Sequence, residues 1–175
     1  MLALEGIRRL AEHLISACGS EAENAFVRGE CALAAYFSGI TLANAGLGVV
    51  HGFASPIGAA YSIPHGIVCG TLLAPAMEVT VRALVASSTE ASEAAINKMA
   101  QLGPLFDLPA SNQKDSCFAL VDRLYNLTRE LKIPKLGVYG IKRADCETIA
   151  EESGQKNHPI QLTLEQQIEI LCKRI

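Results

Sequence analysis

The chain has 175 residues, half of them hydrophobic and 19% charged, with a formal net charge of −3. That length is enough for one domain with a real core, and that apolar content excludes a disordered chain. Acidic and basic residues are interspersed without a basic patch, so nucleic acid is not an expected partner.

Residues 2–17 read as an amphipathic helix, because Leu4, Ile7, Leu10, Leu14 and Ala17 recur at helical spacing and Gly19 can stop it. Charges run throughout this segment, which is therefore not read as a signal peptide. Ser20 is a candidate N-cap for a second helix over about 21–43, with Glu21 and Glu23 in its first turn. Ala25, Gly29, Ala32, Ala35, Gly39 and Ala43 recur along it and predict a neighbouring helix packed closely on that stripe. Asn44-Ala-Gly46 ends it. Pro64 suits the first turn of the next long helix, which absorbs the valine-rich residues 79–85, since a lone strand there would have no partner. Helices are then predicted over 90–101, ended by Gly103-Pro104, and over 113–131, with Cys117, Val121, Leu124, Thr128 and Leu131 on one face. Residues 135–140 form a turn, 143–152 a short helix and 153–162 a loop. Thr163 to Gln166 is a capping-box pattern, and the last helix is expected to bury Leu164, Ile168, Leu171 and Ile175. The fold class is all-α: one compact bundle of about seven or eight helices spanning residues 1–175. Six cysteines, none in a Cys-x-x-Cys pair, read as reduced thiols, which suits the cytoplasm.

No charged residue occurs from Cys31 to Met77. Residues 31–50 are long enough to span a bilayer, but the run also carries seven glycines, three prolines, Asn44 and two histidines. Such residues are costly in lipid, so a central helix buried within a globular bundle is the preferred reading and no membrane partner is expected.

The two histidines are His51 and His65. A lone histidine on an apolar face is usually a hydrogen-bonded core residue; two bracketing a Pro/Gly-interrupted turn are candidate metal ligands. Fourteen residues of unbroken helix would hold them about 21 Å apart, whereas a shared ion needs each nitrogen within about 2.0–2.1 Å. The chain must therefore bend. Pro64 and Ser55-Pro56 are the candidate breaks, with one helix ending near His51, another starting near His65, and the segment between doubling back. Ser55 can equally cap a helix starting at Pro56. Two imidazoles do not complete a catalytic metal site, which needs at least three protein ligands. Glu30 and Glu78, at the edges of the apolar run, are the nearest carboxylates in sequence, with a surface or helix-end role as the alternative. His13 lies in an amphipathic helix and His158 in a polar loop. Gly46-x-Gly48 fits helix-end geometry, since no strand–glycine–helix context surrounds it.

The stretch GLGVVHGFASPIGAAYSIPHG (46–66), followed by TLLAPAM (71–77), resembles the signature of the iron-containing alcohol dehydrogenase family. Spacing, glycines, Pro64-His65-Gly66 and Pro75 agree together, and the NHPIQLT loop and final helix fit more loosely. The resemblance implies the family's all-α, dehydroquinate synthase-like C-terminal domain. It implies His51 and His65 as ligands of a divalent metal, Fe(II) or Zn(II), and hydride exchange with NAD(P) bound by a preceding α/β domain. The implied substrate is a small alcohol or carbonyl compound. Two departures stand out. The family's Asp-x-x-x-His ligand pair and its nucleotide-binding half are not found in this sequence, so the isolated chain is expected to be inactive and to self-associate through exposed apolar surface. Ser55 also stands where many members carry a histidine near the nicotinamide, and a hydroxyl does not titrate near neutral pH. A non-catalytic helical module that binds a partner is the competing reading; a small membrane protein built on residues 31–77 is the third.

Overall fold

The computed structural model describes residues 1–175. It contains eight α-helices and no strand: α1 (Leu2–Ala17), α2 (Ala25–Ala45), α3 (Val49–Ala60), α4 (His65–Ser87), α5 (Glu90–Ala100), α6 (Gln113–Glu130), α7 (Cys146–Glu151) and α8 (Leu164–Cys172). Short 3₁₀ turns at Gly103–Phe106, Leu136–Tyr139 and Arg143–Asp145 link the later helices.

Helices α1 and α2 form a hairpin. Hydrogen-bonded turns occupy the residues between them, with Glu21 N–H donating to Ser16 O and Asn24 N–H to Glu21 O. The N-cap of α2 is therefore Asn24, whose Oδ1 accepts from the N–H groups of Phe26 and Val27, and not Ser20. Glu21 and Glu23 lie outside the helix. The small-residue stripe is also not where α1 packs: Ala32 and Ala35 are exposed, and nothing lies within 4 Å of a Cβ built at Gly29 or Gly39. The contact uses the opposite face, where the Cβ position of Gly6 meets Ala34 O at 3.4 Å and Phe37 Cβ at 3.6 Å. Arg9 fastens the pair by bridging Glu5 and Glu30.

Helix α4 is the central element. Its length and apolarity would suit a membrane span, yet its sides are packed against protein. Val68, Leu72, Ala76 and Val79 meet Phe53 and Ile57 of α3 and Ile170 and Leu171 of α8 in the main core. Val81 and Leu84 meet Ile96 of α5 and Cys117 and Val121 of α6 in a second cluster. Each such side chain contributes roughly 1.5–3 kcal/mol by leaving water, and this burial outweighs the weak helix propensity of the valine-rich stretch. In α8 the most buried residues are Gln167, Ile170 and Leu171, while Leu164 and Ile168, and Ile175 beyond the end of the helix, are only partly covered; the capping box at Thr163 and Gln166 is formed. All six cysteines are free thiols.

Candidate metal centre

The corner between α2 and α3 sets the position of His51. Gly46 closes α2 at φ 75°, a backbone conformation that favours glycine. Gly48 is the N-cap of α3, so the Gly46-x-Gly48 pair does serve helix ends. The two helices meet at 99°. The loop around residues 154–158 clamps this corner. Asn157 N–H donates to Leu47 O at 3.0 Å, and Asn157 Nδ2 donates to Ala45 O at 2.6 Å.

His158 completes the clamp through a chain of hydrogen bonds. The Val49 N–H, one of the unpaired donors at the start of α3, donates to His158 Nδ1 at 3.4 Å. Nδ1 is thus the acceptor, which leaves the proton on Nε2, 2.9 Å from Thr80 Oγ1. The Thr80 hydroxyl in turn donates a hydrogen bond to Ala76 O at 2.6 Å. Burial lowers the His158 pKa to about 4, so the ring is neutral at pH 7. Sequence reasoning placed His158 in a polar loop and missed this role; nothing local in the sequence links it to residues 49 and 80.

Helix α3 runs unbroken from Val49 to Ala60 through Pro56. Ser55 therefore does not break it or cap a new helix; it is exposed, one turn after His51. His51 lies at the start of α3, not at the end of a preceding helix. From His51 the helix advances about 14 Å to Ala60 at about 1.5 Å per residue. The chain from Ala60 to His65 can cover up to about 17 Å when extended, and Tyr61 and Pro64 are in extended conformations (φ −131°, ψ 140°; φ −56°, ψ 132°). The return leg therefore offsets the helix, and His65, the first residue of α4, arrives beside His51. The ring centroids are 5.4 Å apart, at an interplanar angle of 48°.

Both imidazoles are accessible, His65 more so than His51. The His51 pKa is lowered by burial and then by the charge His65 would carry, which favours the neutral, lone-pair form that a metal requires. Cys69, one turn along α4 from His65, joins them: its Sγ is 3.4 Å from His65 Nε2, and the donor atoms of His51, His65 and Cys69 all lie within 4.8 Å of one another. Sequence reasoning missed Cys69, although the His65/Cys69 spacing of four was a usable signal. Glu30 and Glu78 are not part of the cluster. Glu30 pairs with Arg9, while Glu78 pairs with Lys173 Nζ at 2.9 Å and accepts from the Tyr125 hydroxyl at 2.5 Å. His51 opens on a cleft of about 300 Å³ between α1 and α2, walled by Ile7, Leu10, Leu42 and Leu47 with Ser38 and Thr41 as polar points.

Over residues 1–175 the sequence matches the family model described as the Fe-containing alcohol dehydrogenase family, C-terminal. It is 30% identical over 176 residues to alcohol dehydrogenase 4 of Saccharomyces cerevisiae (strain ATCC 204508 / S288c), a match covering 98% of this chain and 42% of that protein. It is 28% identical over 146 residues to lactaldehyde reductase of Escherichia coli (strain K12), covering 81% of this chain and 36% of that protein. The fold superimposes on the crystal structure of a 1,3-propanediol oxidoreductase with a TM-score of 0.84 at 23% identity, covering 99% of this chain and 44% of that chain. The chain thus spans less than half the length of the relatives it matches. It belongs to the iron-containing alcohol dehydrogenase family and corresponds to the all-helical C-terminal part of its members.

Proposed function

We propose that this chain is the metal-carrying half of a cytoplasmic, NAD(P)-dependent dehydrogenase that interconverts a small alcohol with its aldehyde or ketone. The single observation that supports this reading best is the meeting of His51 and His65, 14 residues apart in sequence, at a ring separation of 5.4 Å beside a cleft. Two adjacent imidazoles offer nitrogen donors of the kind that hold Fe(II) or Zn(II). When bound, the metal supplies Lewis acidity towards an alcohol or carbonyl oxygen, and the nicotinamide supplies a hydride acceptor or donor.

The chain's own residues have distinct tasks in this reading. His51 and His65 hold the ion. Ile7, Leu10, Leu42 and Leu47 present an apolar wall that takes the hydrocarbon part of a small substrate and keeps water away. Ser55 offers a hydroxyl near the ligands, able to hydrogen-bond but not to relay protons by titrating near neutrality. The nucleotide would be bound by an α/β part of the parent enzyme, and the remaining ligands would be the Asp-x-x-x-His pair of an earlier helix. The test is metal titration of the purified chain beside His51→Ala and His65→Ala, combined with an assay for NAD(P)-linked alcohol oxidation. Metal binding lost in both variants, and no turnover by the chain alone, is the expected result. Metal binding unchanged in both variants would overturn the assignment.

A second reading, a helical module that docks a partner without catalysis, is favoured by the exposed Phe26 and Tyr36 on α2. Co-purification with an α/β protein that leaves metal binding irrelevant to the complex would select it.

A further inference from the structure

We infer that Cys69 is a third metal ligand in this chain, giving a two-histidine, one-thiolate set that favours Zn(II) over Fe(II). The inference rests on the reading that His51 and His65 hold a metal. His65 and Cys69 are four residues apart in the first turns of α4, so their side chains project from the same face. Their donor atoms, Nε2 and Sγ, are 3.4 Å apart. With a metal–nitrogen bond of about 2.05 Å, a metal–sulfur bond of about 2.3 Å and a tetrahedral angle, two ligands of one ion lie about 3.6 Å apart. The observed spacing is close to that value before any metal is considered, and His51 falls within 4.8 Å of both donors. Cys69 is also partly buried, which shelters a sulfur ligand from bulk water.

The chemistry follows from the donor types. Binding converts the thiol to a thiolate and releases one proton to solvent, with no change in oxidation state. A thiolate is a soft donor and suits Zn(II), whereas Fe(II) ranks below Zn(II) on nitrogen and oxygen donors already. The sulfur therefore adds to a preference in the same direction. Within this chain alone, three protein ligands leave one tetrahedral position for water.

Co(II) titration of the 175-residue chain tests this, because Co(II) takes zinc sites and its absorption reports the ligands. The expected result is one bound equivalent with an intense thiolate-to-Co(II) charge-transfer band in the near ultraviolet. In Cys69→Ser that band disappears while the five other cysteines remain. Cys69→Asp guards against misfolding: it restores an oxygen donor, so Co(II) binds without the band. Loss of a partner hydrogen-bonded to a ligand weakens metal affinity by about 10–100-fold, so loss of a ligand should weaken Zn(II) at least tenfold in Cys69→Ser. Bound Zn(II) should also protect Cys69 from iodoacetamide, read peptide by peptide by mass spectrometry. A charge-transfer band that survives in Cys69→Ser, or Co(II) bound to the unaltered chain with only weak visible bands, overturns the role of Cys69 and leaves the two-histidine reading standing. No Co(II) binding by the unaltered chain overturns the role of Cys69 as a ligand that completes a site in this chain, whereas Co(II) retained in full by His51→Ala and His65→Ala overturns the two-histidine reading.

Discussion

His158 shows how one partly buried ring can hold a site it does not belong to. Its pKa is lowered to about 4 by burial, against about 6.5 in an unfolded chain. Between those values the unfolded chain binds a proton that the folded chain does not, so stability falls as pH drops through this window. The contribution is fully present above about pH 6.5 and lost by about pH 4, at most roughly 3 kcal/mol. Urea unfolding of the native chain should therefore show a fall in stability between pH 7 and pH 4 that is smaller in His158→Gln; equal falls would show that His158 is not the responsible group. At constant pH 7, His158→Ala should cost about 1–3 kcal/mol, since it leaves the Val49 N–H without its acceptor and Thr80 without a donor. Partial loss of metal affinity is expected with it, because Val49 lies two residues before His51.

Among the helices, α3 has the least room. A Cβ built on Gly52 would sit 1.9 Å from Gly154 O, a backbone atom that cannot swing aside. Gly52→Ala must displace the 154–158 loop or α3, and should destabilise by about 1–3 kcal/mol or more, measured as a fall in the urea midpoint with unchanged slope. At the other end, Thr163→Ala removes the cap of α8 and should cost about 1 kcal/mol. The capping box, the Pro64 helix start and the apolar periodicity of α1 and α6 were all legible locally, because cap and period are short-range properties. The start of α2 was not. Ser20 and Asn24 are both good caps, and the choice of Asn24 followed from the hydrogen-bonded turn that closes the α1–α2 hairpin.

For the whole molecule, α4 acts as the shared wall of two cores. Leu72 is fully buried in the larger one. Leu72→Ala should cost about 2–5 kcal/mol and should loosen α3, α4 and α8 together in hydrogen exchange, rather than α4 alone. The surface also carries apolar side chains on the α1–α2 hairpin: Phe26 is 66% exposed and Tyr36 65%. Association of the isolated chain is expected from this surface. Light scattering at increasing concentration should show it, and Phe26→Ser with Tyr36→Ser should reduce it; a monomer at all concentrations would count against it.

The caps and the helical periods determined by themselves that this protein is a helical bundle, but the charge-free run did not mark its centre: α2, expected to be buried, exposes most of its length with only Val27 and Ala34 buried, and α4 is the buried helix. The spacing around His51 and Pro64-His65-Gly66 was enough to mark both histidines as candidates; Pro64 does stand where the chain turns back, whereas Pro56 and Pro75 lie inside α3 and α4 without breaking them. Tertiary structure decided what else stands near that pair, except Cys69, which neighbours His65 by the local i, i+4 spacing once α4 begins at His65. Glu30 and Glu78 were drawn away by Arg9 and Lys173, and His158 was brought to the start of α3 from 109 positions away. Helix and cap preferences act over a few residues, whereas the partner of a buried polar group is set by which elements the hydrophobic core packs together.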